Sequence, residues 1–328
     1  MASGQERALR RRIRSVNSTK KITRAMELIA ASRIVKAQQR VAAARPYSEQ
    51  ITEVMRTLAA SGAAGMSHPL LEERDPVSNV GYVVVAADRG LAGAYNATVL
   101  RTAERHMKGV EREGKGTVLV TSGRKAESYF RYRGYNLADA FTGYAEVPSY
   151  EDARRLAAAV VSRYEEGEID RVELVYTRFL SLGVQRVTIT RLLPLEREAI
   201  EGDKEHNQPQ ALYEIEPEPE AILAELLPRY VEARIFDALL QAAASEQAAR
   251  QRAMKAATDN AEELIKKLQV TANKLRQASI TTEIMEIVGG AEALRQAGMG
   301  SEKDYLPDTV LSRDILRDRL DHRMGAGR

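Results

Sequence analysis

The chain has no cysteine and no tryptophan, and only four phenylalanines and four histidines among its 328 residues. Without a thiol there is no disulfide framework, no thiolate zinc site and no cysteine nucleophile, and the composition fits a reducing compartment. His68, His106, His206 and His322 stand apart without metal-ligand spacing, so no metal site is expected. Aromatic residues reach 5% against 44% hydrophobic residues overall, too few for one large aromatic core, and the length is better read as unequal parts. Long apolar runs are missing too: Tyr82–Ala87 falls far short of the roughly 20 residues a membrane-spanning helix needs, so no direct insertion into a bilayer is expected. Nor does one sign of charge dominate, with 49 Lys and Arg against 46 Asp and Glu. The arginine-rich start superficially matches an organelle transit peptide, but it runs into a helical pattern with no cleavage-like break and reads as mature structure.

Glycine and proline are also absent from Gln5 to Arg45. There apolar residues recur in steps of three and four, at Leu9, Ile13 and Val16, then Ile22, Met26 and Ile29, then Ile34, Ala37, Val41 and Ala44. This spacing predicts an amphipathic helix about 60 Å long. Pro46 predicts a break or kink before helical composition resumes at Tyr47–Ser61. Gly62, Gly65, Pro69 and Pro76 mark a loop. Beyond it, β-branched runs at Val80–Ala87 and Thr117–Thr121 alternate with helical segments at Ala94–Arg112, Arg124–Arg133 and Ser149–Glu166, the last opened by a serine cap. Arg171–Ser181 and Gln185–Leu193 form a closing hairpin. Pro194–Pro219 is an acidic loop or surface arm, and Arg229–Val288 again lacks glycine and proline, the mark of an extended helix.

The expected fold is therefore α/β: a long antiparallel two-helix coiled coil from the N- and C-terminal segments, with a central Rossmann-like α/β domain. The divisions are 1–61 for the first shaft helix, 62–219 for the α/β foot with its acidic arm, 220–294 for the second shaft helix and 295–328 for an extension. Ala30, Ala31, Ala37, Ala248, Ala249, Ala256 and Ala257 would let the two helices approach closely. The five-residue step from Ile29 to Ile34 makes an irregular two-helix shaft a better reading than a regular zipper.

Twelve Lys and Arg lie between Met1 and Arg45 against Glu6 and Glu27, a local balance of +10. An acidic protein partner fits this face better than a merely solvated surface or nucleic acid, since no aromatic residues interleave the charges. ADRGLAGAYN at Ala87–Asn96 follows a strand and opens a helix. No Gly-Lys-Ser/Thr follows, and Gly90 and Gly93 complete no dinucleotide fingerprint. A structural turn fits better, with Asp88 capping, Gly90 and Gly93 turning the backbone and Asn96 closing a hydrogen bond. No nucleophile, base and orienting group come together in any motif, so neither catalytic residues nor a cofactor site are expected.

Three stretches in order carry a resemblance: RIRSVNSTKKITRAMELIAASR at Arg12–Arg33, DRGLAGAYN at Asp88–Asn96, and SEQAARQRAMKAATDNAEELIKKLQVTANKLRQASITTEIMEIVGGAEAL at Ser245–Leu294. Together they resemble the gamma subunit of bacterial F-type ATP synthase over Gln5–Leu294. The resemblance implies a central rotor shaft that is peripheral on the cytoplasmic face of the bacterial cell membrane. Its implied partners are the alpha and beta subunits of the catalytic head, the epsilon subunit and the membrane c-ring, and the nucleotide sites belong to alpha and beta. It implies that Lys20, Lys21, Arg24 and Arg33 face acidic lever loops of beta and that Met26 lies where the shaft meets them. Arg276, Gln277, Thr281 and Glu283 would meet the catch loops of beta, and Tyr213 and Glu214 the rotor ring or epsilon.

The chain departs from the family in adding Arg295–Arg328, where Pro307 interrupts the shaft and Thr309–His322 has the spacing of a short amphipathic helix. Two rival readings stand beside the rotor. A nucleotide- or small-molecule-binding α/β enzyme with helical dimerisation arms requires a polar pocket beside Asp88–Asn96. A basic coiled-coil scaffold requires salt-sensitive binding to nucleic acid.

Overall fold

The computed structural model describes residues 2–60, 68–195 and 218–296. Helix α1 (Ala2–Ala60) is followed by a 3-10 turn at Pro69–Leu71, then β1 (Asn79–Val85), α2 (Tyr95–Arg112), β2 (Gly116–Ser122), α3 (Arg124–Tyr132), β3 (Leu137–Phe141), α4 (Tyr150–Glu165), β4 (Arg171–Phe179), β5 (Gln185–Leu193) and α5 (Pro219–Gln296). Tyr213, Glu214, most of the acidic arm and the 297–328 tail lie outside the described residues. The chain divides into two compact units, Ser18–Glu262 and the pair of segments Met1–Asn17 and Glu263–Arg328.

In the larger unit the strands lie in the order β3-β2-β1-β4-β5. The first four are parallel, and β5 returns antiparallel to β4. Strand β1 is buried from Val80 onward, as a central strand covered on both faces must be. Its alternation divides the core. Tyr82 and Val84 pack with Val99, Met107 and Phe130 from α2 and α3, whereas Val83 and Val85 pack with Leu156 and Val160 of α4, Met55 of α1 and Val231 and Ile235 of α5. A capping box opens α4: Asp152 N donates to Ser149 Oγ at 3.2 Å, and Ser149 N to Asp152 Oδ2 at 2.9 Å.

The same unit holds a stretch of paired helix. Lys20 Nζ meets Glu262 Oε2 at 3.1 Å, and Thr258 Oγ1 donates to Thr23 Oγ1 at 2.8 Å. As the α1 number rises the α5 number falls, so the helices run antiparallel. Ala30, Ile34 and Ala37 of α1 are buried, and α5 is buried on every side from Ala242 to Ala248. The alanine pattern has exceptions: Ala256 is exposed, and Ala249 packs on the cluster of Ala87, Ala92 and Tyr95 in the α/β region.

Three local features differ from the sequence reading. Helix α1 passes through Pro46, and α5 begins at Pro219 and passes through Pro228. Tertiary packing outweighs the lost backbone bond at Pro46: the adjacent Tyr47 ring meets Tyr150 edge-on at 6.2 Å, and Ile51, Met55 and Leu58 continue into the core. Strand β3, LADAF, was not anticipated because it lacks β-branched residues. Pairing with β2 supplies its order, and Gly123 N donates to Phe141 O at 2.7 Å just beyond it.

In the smaller unit, Leu9, Ile13 and Val16 are half-buried between exposed arginines. On α5, Ile265 is buried and Leu268, Ala272 and Leu275 are half-buried, again in steps of three and four. From Ile280 to Gln296 every residue of α5 is exposed.

Candidate functional site

In a sheet of this order, a ligand would enter at the C-terminal ends of β1 and β4, where the strand order reverses. The loop after β1 closes that entrance with its own side chains. Asp88 Oδ1 accepts from Arg124 N at the start of α3, and Oδ2 accepts from Gly143 N and Ala145 N, each at 3.0 Å. The donors that a helix N-terminus would offer a phosphate are thus partly taken by a resident carboxylate. Asn96 Oδ1 accepts from Ala87 N at 3.0 Å. Gly93 is left-handed at φ 57°, but the second left-handed residue of the loop is Leu91 at φ 63° and not Gly90. Gly123, overlooked in the sequence, is obligatory: at φ 98° a β-carbon would lie 2.0 Å from Ala86 O.

Helix α5 fills the remaining space. The Tyr95 hydroxyl donates to Ala242 O at 3.2 Å, Ser245 Oγ to Thr177 O at 3.0 Å, and Arg250 Nη2 to Gly90 O at 3.3 Å. Arg250 also pairs with Glu246 Oε1 at 2.5 Å. Burial raises the Glu246 pKa and pushes the Tyr95 phenol far up, with Arg250 opposing both shifts. The pocket required by an α/β enzyme beside Asp88–Asn96 is therefore occupied by protein, and that rival reading is not favoured. A cavity of about 620 Å³ lies elsewhere, lined by Ala44, Tyr47, Tyr150 and Phe236 among others. A polar crevice of about 290 Å³ lies between α1, β4 and α5.

The basic residues of α1 are less free than their count implied. Arg33 Nη1 meets Glu146 at 2.5 Å, and Arg89 and Arg250 lie 3.8 and 3.9 Å from the same carboxylate. Lys20 holds Glu262, and Arg24 holds Glu27 at 2.9 Å. Lys21 is exposed and Met26 half-buried. What this stretch of α1 does present is apolar: Ile22 is 60%, Leu28 58%, Ile29 52% and Val35 54% exposed.

Arg276, Gln277, Thr281 and Glu283 are all exposed on α5, in the smaller unit. Thr281 Oγ1 donates to Gln277 O at 2.9 Å, and Ser279 Oγ to Glu283 Oε1 at 3.4 Å, so these contacts stay within the helix. Around and beyond them Ile280, Ile284, Met285, Ile287, Val288 and Leu294 stand exposed. Sequence reasoning missed Glu146, Glu246 and Arg250. The last two carried a signal, an i,i+4 ion-pair spacing inside an alanine-rich segment. Among the described residues no helix is long and apolar enough to cross a membrane.

A family model described as ATP synthase matches residues 5–294. The chain is 50% identical over 301 residues to the ATP synthase gamma chain of Parafrankia sp. (strain EAN1pec), covering 89% of this chain and 98% of that one. It is 49% identical over 302 residues to the gamma chain of Mycolicibacterium smegmatis, covering 88% and 97%. A chain in the cryo-EM structure of the Euglena gracilis mitochondrial ATP synthase OSCP/F1/c-ring shares the fold with a TM-score of 0.64 at 20% identity, covering 93% of this chain and 99% of that one. A central stalk/c-ring chain from Tetrahymena thermophila gives 0.55 at 23% identity, covering 72% and 99%. Half-identity to bacterial relatives along nearly their whole length and a family model spanning most of these residues lead to one conclusion: the chain belongs to the ATP synthase gamma chain family.

Proposed function

We infer that this chain is the central-stalk rotor subunit of an F-type ATP synthase, non-catalytic itself and peripheral on the cytoplasmic face of the membrane. In this reading 1–61 and 220–294 serve as shaft helices, 62–219 is the foot, and 295–328 is an extension. The alpha and beta subunits surround the shaft, while epsilon and the c-ring meet the foot. The observation that carries the reading is the row of exposed apolar side chains at Ile280, Ile284, Met285, Ile287 and Val288 on α5. Such a surface in water favours a partner that covers it. At Ile22, Leu28, Ile29 and Val35 a second apolar surface has the same need.

Contacts of this kind suit a turning element. Apolar and weakly paired charged surfaces slide without a strong directional lock, because exposed ion pairs contribute only about 0–1 kcal/mol. Different side chains at each angle give each neighbour a different contact free energy, and that difference is what shifts a neighbour between conformations of different nucleotide affinity. Met26 and Lys21 on α1 and Arg276, Gln277, Thr281 and Glu283 on α5 are assigned to beta contact. Lys20, Arg24 and Arg33 join them by exchanging internal carboxylates for those of beta. Tyr213 and Glu214 are assigned to the rotor ring or epsilon.

The test is reconstitution with alpha and beta subunits. Arg276→Glu is expected to lower ATP turnover by about tenfold, the scale of one lost charged contact, with the helical circular dichroism of the subunit unchanged. Unchanged turnover in the assembled complex would remove the Arg276 assignment. ATP hydrolysis by the isolated chain would overturn the rotor reading itself.

A further inference from the structure

We propose that the crevice between α1, β4 and α5 is a binding site for a free tetrahedral oxyanion such as inorganic phosphate. Its walls bring together Ser48 and Thr52 of α1, Tyr176 and Arg178 of β4, and Tyr230 and Arg234 of α5 around about 290 Å³. Two guanidiniums from different elements thus border one polar crevice. Both are near enough to Asp237 to lower its pKa, yet neither forms an ion pair with it among the described residues. Elsewhere most arginines of this unit hold a carboxylate, as Arg33, Arg74, Arg133, Arg155, Arg163 and Arg250 do. An arginine fork matches the oxygens of phosphate or sulfate, and the hydroxyl-bearing residues Ser48, Tyr176 and Tyr230 line the same crevice.

Asp237 is the one carboxylate in the lining, and it sets the sign of the site's behaviour. Gln241 Nε2 donates to its Oδ2 at 2.6 Å. Burial raises its pKa, with Gln241, Arg178 and Arg234 opposing the shift. The groups facing it are Arg178 and Tyr176 from β4 and Arg234 on its own helix. From α1 the crevice receives Ser48 and Thr52, which do not titrate. Thr52 directs its hydroxyl to Ser48 O at 2.7 Å. An anion seated here touches α1, the sheet and α5 together, so its binding stabilises their packing by mass action.

The full-length chain is titrated with sodium phosphate and, separately, with sodium sulfate, which does not change charge near neutral pH. Sodium chloride at equal ionic strength serves as the reference, and both calorimetric affinity and the thermal midpoint are read. Both oxyanions are expected to bind saturably and raise the midpoint above the chloride value. Arg178→Gln and Arg234→Gln are each expected to weaken binding about tenfold or more, and Asp237→Asn to tighten it. The near-isosteric asparagine variant reads in the opposite direction from the arginine variants, so a loss of folding in those cannot imitate the pattern. Equal effects of phosphate, sulfate and chloride would overturn the proposal. So would oxyanion binding unchanged in all three variants.

Discussion

At the scale of single residues, two carboxylates of the α/β region hold the loops and helices around them. Asp88 accepts three backbone N–H groups, from Arg124, Gly143 and Ala145, and so ties the β1 loop to α3 and to the segment before α4. Asp88→Ala leaves those donors without their acceptor and is expected to cost about 2–3 kcal/mol. Asp88→Asn keeps one acceptor oxygen and should fall between, as measured by urea denaturation of the full chain. Glu104 is the second. Burial works against its charge, but Lys108 at 2.9 Å, the Tyr129 hydroxyl at 2.6 Å and Arg133 at 2.7 Å together lower its pKa from 4.5 to about 2. A carboxylate depressed on folding stabilises the protein above its unfolded pKa, and the contribution is lost as pH falls through the folded value. The stabilisation from Glu104 is therefore complete above pH 4.5 and disappears toward about 2. Glu104→Gln should cost about 2 kcal/mol near pH 7, with its stability curve converging on that of the parent protein over that acidic window. Parallel curves across the window would show that the charge of Glu104 is not what matters.

At the scale of elements, hydrophobic spacing made most of the fold legible. The β-branched runs at Val80 and Thr117 became β1 and β2, as a nearly continuous apolar run in a strand covered on both faces predicts, and the alternating segments from Arg171 and Gln185 became the antiparallel pair β4 and β5. Strand β3 escaped because LADAF takes its conformation from a neighbour, and a local reading sees only the segment itself. Of the break or kink that Pro46 predicts, the break does not occur: a proline inside a helix is costly, but the cost was met by packing of residues distant in sequence. Pro46→Ala restores an N–H able to bond the carbonyl of Ala42 and relieves the ring's clash, so it should raise stability by about 1–3 kcal/mol. The midpoint of chemical unfolding gives the answer, and a decrease would mean that the proline ring itself is part of the Tyr47–Tyr150 contact. The filling of the strand-end crevice was legible only in part. Its loop residues Asp88, Gly93 and Asn96 stood out in the sequence, but that Tyr95, Ser245 and Arg250 seal it follows from where α5 lies, which no local spacing encodes.

At the scale of the whole molecule, the proposed rotor requires that the paired stretches of α1 and α5 turn as one body and do not slide past each other. The absence of cysteine makes this directly testable, because an introduced pair has no competing thiol within the chain. The Thr23 and Thr258 hydroxyls lie 2.8 Å apart across the antiparallel contact, so the two side chains face each other where a cysteine pair can be introduced. In the Thr23→Cys, Thr258→Cys double variant, oxidation fastens the helices at a point where they already touch. If rotation carries both helices together, ATP-driven proton pumping by the assembled enzyme should be the same before and after oxidation, with cross-linking verified on a non-reducing gel. If torque transmission instead depends on the helices sliding or parting, pumping should fall on oxidation and return with reductant, while the single-cysteine variants remain unaffected. A reversible loss confined to the double variant would therefore exclude a shaft that acts as one rigid element, and equal pumping in both states would leave the exposed apolar surfaces of α1 and α5 as the moving contacts.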